Sequence, residues 1–82
     1  MLEQMLKDFD KEYDYLYNTG KESQKNIDEF DKKMKNNFAF RLLVTAFAEA
    51  RQDYITSDRE ADAFMRVFKK MQKENKERKE AA

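Results

Sequence analysis

Residues 38–50, FAFRLLVTAFAEA, are the only densely apolar run in a chain of 82 residues, 41% of which are charged. The run holds neither Gly nor Pro, and its apolar side chains spread over most of a helical projection. A helix that is apolar nearly all round is normally covered nearly all round, so this segment is expected at the centre with the flanking segments packed on it.

Outward from that run, nothing between Ser23 and Ile55 compels a break. Acid-to-base pairs at i, i+4 spacing support its first half: Asp28 with Lys32, Glu29 with Lys33, Asp31 with Lys35. The apolar stripe, however, changes side. At about 100° per residue, Ile27, Phe30, Met34 and Phe38 cluster together with Leu42 at their edge. Phe40, Leu43, Phe47, Ala50 and Tyr54 cluster roughly 155° around the axis from them. One straight helix would offer opposite sides at its two ends, and it would be about 48 Å long. A break at Asn36-Asn37, both poor helix formers, would instead turn both stripes toward one core. The continuous rod is the preferred expectation. So long a rod is hard to cover within one short chain, and a second copy is expected to complete the fold.

Residues 2–18 read as a first helix, with Leu2, Met5, Leu6, Phe9, Tyr13 and Leu16 on one stripe and Tyr15 off it. Gly20, the only glycine, is placed to stop that helix in the left-handed conformation. Ser23 is the expected N-cap of the next one. The sequence TSDRE carries the clearest local signal: Ser57 and Glu60 make a capping box, with Asp58 favourable at the positive end of the helix. Ala61, Phe64, Met65, Phe68 and Met71 then share one face. Beyond Met71 that face turns polar, and KENKERKEAA is expected to stay helical through pairs such as Lys70–Glu74 while fraying. The expected fold is all-α: helix 2–18, a long or kinked helix 23–55 and helix 58–78, three helices completed by oligomerisation, with a homodimer favoured. It forms one small domain, residues 1–82, with a frayed charged tail from about residue 73.

Composition narrows the function. A chain this short buries only about 60% of its unfolded surface, and oligomerisation is a common remedy. There is no Cys, so no disulfide framework or thiolate zinc site is available. There is no His, which removes the usual general base and the commonest transition-metal ligand. The acids Asp8, Asp10, Glu12 and Asp14 alternate like the start of a calcium loop. Such a loop needs Gly where Tyr13 stands and Glu where Thr19 stands, so the match fails. No nucleophile–base pairing, Gly-rich phosphate loop or Glu-x-x-His ligand pair is present. Neither an enzyme nor a cofactor or metal site is expected. The N-terminus, MLEQMLKDFD, lacks the basic start and apolar run of a signal peptide, and no window matches a membrane span; a cytoplasmic protein is expected. The Lys- and Asn-rich, Pro-free character would suit a small accessory protein of a phage or other mobile element.

Two functional readings remain. Seven Phe and four Tyr are many for a thin core. Aromatic and Met side chains are also the material of protein contacts. Tyr15, Phe30, Met34 and Phe40 are therefore the candidate interface residues, each with core filling as the competing account. On this reading the protein is a helical interaction module that self-associates and regulates or inhibits a larger protein by surface contact. Sequence does not separate that role from assembly or scaffolding. The other reading uses the basic outer face of the last helix. Formal charge is zero overall, yet residues 66–82 carry seven Lys or Arg against three Glu. Arg66, Lys69, Lys70, Lys73 and Lys76 could contact phosphate or an acidic partner. Asp58, Glu60 and Asp62 at the start of that helix would face phosphate in a helix-turn-helix, which counts against base reading. Opposite charge at the two chain ends could also favour antiparallel self-association.

Overall fold

The computed structural model describes residues 1–81, which form four helices: α1 (Leu2–Thr19), α2 (Gln24–Asn36), α3 (Phe38–Arg51) and α4 (Asp58–Ala81). The all-helical class agrees with the sequence, but the three-helix arrangement is corrected to four. The long segment does not run through; it breaks at Asn37, whose backbone is extended at φ −125° and ψ 105°.

Asn37 serves both helices that it separates. Its N–H donates to the Lys33 carbonyl at 2.9 Å, closing α2. Its side-chain oxygen accepts from the Phe40 N–H at 3.0 Å, opening α3. A short amide can bond its own backbone neighbours, which is why Asn favours helix ends over helix interiors. The break removes the conflict between the two apolar stripes. Phe30 from α2 and Phe40 from α3 now meet edge to face with ring centroids 5.6 Å apart.

The other ends follow local chemistry. Gly20 ends α1 at φ 66° and donates its N–H to the Leu16 carbonyl at 2.8 Å. Ser23 Oγ accepts from the Asn26 N–H at 3.3 Å to start α2. Ser57 Oγ accepts from the Glu60 N–H at 3.2 Å and donates to Glu60 Oε1 at 3.2 Å, a variant of the expected capping box. The end of α3 is the unexpected one. It stops at Arg51 rather than near Ile55, because Gln52 takes the left-handed conformation at φ 57°. The Asp53 N–H then reaches the Ala48 carbonyl and the Gln52 N–H that of Glu49, each at 3.1 Å, in a Schellman-type closure without a glycine.

The centre belongs to α4 and not to residues 38–50. Its segment from Ala61 to Met65 is buried at five consecutive positions, between α1 on one side and α2 on the other. Ala61 and Ala63 are small enough to let both neighbours approach, while Phe64 reaches α3. Phe64 lies within 5.9 Å of Phe30, 5.6 Å of Phe40 and 5.2 Å of Phe47, all edge to face. Such pairs add about 0.5–1.5 kcal/mol each beyond area burial, so this ring is the hub of the core. At 24 residues α4 is about 36 Å long and spans most of the 39 Å long axis of the molecule. It remains helical through Ala81, the stretch expected to fray; Ala82 lies outside the described residues.

Candidate protein-interaction surface

Position in the fold decides what each candidate side chain can do. Phe40 is a core residue, and Phe30 is buried at the floor of a surface groove, so neither offers a free aromatic surface. Both were sequence candidates for an interface; the break at Asn37 turned them inward. Met34 is half-buried and lines the same groove. Tyr15 is 46% exposed but stands apart from the other three, with the Arg66 guanidinium 5.8 Å from its ring. The four candidates therefore do not form one site.

Besides Tyr15, Met1 and Tyr17 are exposed toward the two ends of α1, and the other large exposed apolar side chains lie on or just after α3. With α3 supplying Phe40, Val44, Phe47 and Ala48 to the core, its opposite face carries Phe38, Leu42, Thr45, Ala46 and Glu49, all exposed. Phe38 is 66% exposed and Leu42 56%. Tyr54, in the loop after α3, is 76% exposed. No element of the described chain covers this ridge. Beside it lies a groove of about 580 Å³ between α2, α3 and the α3–α4 loop, walled by Met34, Val44, Ala48, Tyr54 and Ile55. The signal was present in the sequence: Phe38 and Leu42 grouped with the α2 stripe, which the break carried inward while leaving these two behind.

Arg51 fixes the edge of this surface. Its guanidinium lies 4.4 Å from the Phe9 ring centroid and 3.4 Å from Glu60 Oε2, tying the end of α3 to both α1 and α4. The C-terminal end of α3 is thereby tied to both neighbours.

The basic face of α4 is arranged differently from its linear reading. Arg66 pairs with Asp62 at 3.3 Å and with Glu12 at 3.7 Å. Lys70 reaches Asp8 at 3.6 Å, and Lys69 reaches Glu29 at 3.1 Å while also donating to the Asn26 side-chain oxygen. Only Lys73 and Lys76 of the five make no ion pair among the described residues. A phosphate would have to displace carboxylates of the same chain from the other three. The opposite charges of the two chain ends meet in part internally, where Arg66 and Lys70 of α4 reach Glu12 and Asp8 of α1.

Sequence reasoning missed the role of Asp62, which is fully buried. Its carboxylate accepts from the Ser23 N–H at 2.9 Å, from Asn26 Nδ2 at 2.9 Å and from Arg66 Nε at 3.3 Å. It is a cap for the start of α2 delivered from another helix, not a group facing outward. Asn26 and Lys69 extend the network to Glu29, where the hydrogen bond from Lys69 holds the carboxyl below its ordinary value. Desolvation opposes that effect, and the charges of Lys69, Lys25 and Lys33 add to it.

No helix among the described residues is long and apolar enough to cross a membrane. In comparisons with known proteins, no family model, curated protein or solved structure matches this chain.

Proposed function

We propose that this protein is a non-enzymatic, helical protein-interaction module, which regulates or inhibits a larger protein by surface contact through the outward face of α3 and the groove beside it. The observation that carries this reading is the bare ridge of Phe38 and Leu42 on a helix whose opposite face is locked into the core. Large apolar side chains that are exposed together on a rigid element are what protein contacts are built from. The groove supplies the depth that a flat ridge lacks, and the thioether of Met34 adapts to the shape of what enters it. The phosphate-binding reading of α4 loses support from the internal pairing of Arg66, Lys69 and Lys70.

The test is recovery of tagged protein from its own cell, with co-purifying proteins identified by mass spectrometry. The unaltered protein and Lys73→Glu are expected to bring down the same larger protein, and Leu42→Glu to lose it. Undiminished recovery by Leu42→Glu would contradict the assignment of this face.

A further inference from the structure

We infer that the outward ridge of α3 is where two copies of this chain pair, antiparallel, about a twofold axis near Thr45. The inference rests on the docking role of this face: in the free protein a second copy occupies it, and the larger protein competes with that copy for it.

Charge is the first support. Arg41 and Glu49 lie four residues before and four after Thr45, both exposed, and neither makes an ion pair among the described residues. In a twofold contact the same patch meets itself, so that residue i faces j and j faces i. An axis near Thr45 sets Arg41 of each copy against Glu49 of the other, giving two equivalent ion pairs. A parallel pair would place Arg41 on Arg41 and Glu49 on Glu49. The face is self-complementary in one orientation only.

Shape is the second. Phe38, Leu42, Thr45 and Glu49 follow one another at spacings of four, three and four, the seam of a two-helix contact. The middle of that seam is Thr45 with Ala46 beside it, small enough for the backbones to approach closely. The Thr45 hydroxyl already donates to the Arg41 carbonyl of its own helix at 2.9 Å. Its donor is thus satisfied before any partner arrives, and its methyl can be buried without orphaning a polar hydrogen.

Size is the third. The 14 residues of α3 span about 21 Å. One helix crossing falls at the small end of specific interfaces, below roughly 1,200 Å² in total. A contact of that size suits a reversible dimer of protomers whose own core is already closed.

Sedimentation equilibrium from about 1 µM to about 1 mM tests this. Circular dichroism confirms that each variant folds, since every altered position is exposed. The unaltered chain is expected to pass from monomer to dimer across that range. Arg41→Glu and Glu49→Arg should each weaken the dimer at least about tenfold, because each sets like charges together twice. The double reversal should return to within about threefold of the original. Leu42→Glu should weaken it more than about a hundredfold. A double reversal as weak as the single ones would overturn the antiparallel twofold geometry, and a dimer untouched by Leu42→Glu would overturn the location. A monomer throughout would overturn self-pairing. In that case the docking reading stands or falls separately, on whether Leu42→Glu still abolishes recovery of the larger protein.

Discussion

Helices α3 and α4 use their apolar side chains in opposite ways. By composition α3 is much the more apolar, yet half of it is bare; α4 is mostly charged, yet its segment Ala61–Met65 is buried on every side. The difference lies in what each can bond to. Around α4, Asp8, Glu12 and Glu29 on the neighbouring helices receive Lys70, Arg66 and Lys69, so charged positions can approach a core without being orphaned. Among the described residues the outward face of α3 has no such neighbours, because α1 and α2 are already engaged with α4. Burial here is decided by topology and charge pairing, and apolar content alone points to the wrong helix.

The largest expected contrast between the two regions is in stability. Phe64→Ala removes the hub ring and should cost about 3–5 kcal/mol in denaturant unfolding. Leu42→Ser, on the bare face of α3, should change stability by less than about 0.5 kcal/mol when measured on the dilute monomer. Equal losses would mean that the two helices are buried alike.

Next comes Asp62→Ala, which leaves the Ser23 N–H and part of Arg66 without an acceptor inside the fold. A loss of about 2–3 kcal/mol is expected. The same experiment sharpens the comparison, since Glu49→Ala on α3 removes an acid with no ion-pair partner among the described residues and should be near neutral.

A smaller effect, of opposite sign, is expected at the end of α3. Gln52→Gly relieves a left-handed non-glycine residue and should stabilise the protein by about 0.5–1 kcal/mol. The smallest concerns pH. Glu29 has a lowered pKa in the folded protein, so its contribution is present above the unfolded value of 4.5 and is lost as pH falls through the folded one. Unfolding midpoints followed by circular dichroism should decline on acidification below about pH 4.5, and Glu29→Gln should remove its part of that slope.

How much of this was legible in sequence depends on whether a signal was local. Gly20, Ser23 and the Ser57–Glu60 box marked their helix ends because a cap is read from a few adjacent residues. Asn37 was visible as one of two poor helix formers, but its choice to break rested on the meeting of Phe30 and Phe40 across it. Gln52 gave no warning, as a left-handed residue without glycine carries no compositional mark. Asp62 looked like an outward acid because its donors, Ser23 and Asn26, lie far away in the chain. Of the candidate surface, Phe38 and Leu42 were seen as members of a stripe, but which half of that stripe would stay outside needed the fold.

The two-sided character of α3 is the central claim, and a paramagnetic cosolute tests it most directly. With the protein dilute enough to be monomeric, the side-chain NMR signals of Phe38 and Leu42 should broaden strongly while those of Phe40 and Phe47 stay sharp. Protection of Phe38 and Leu42 in the lone protomer, or broadening of Phe40, would contradict the account.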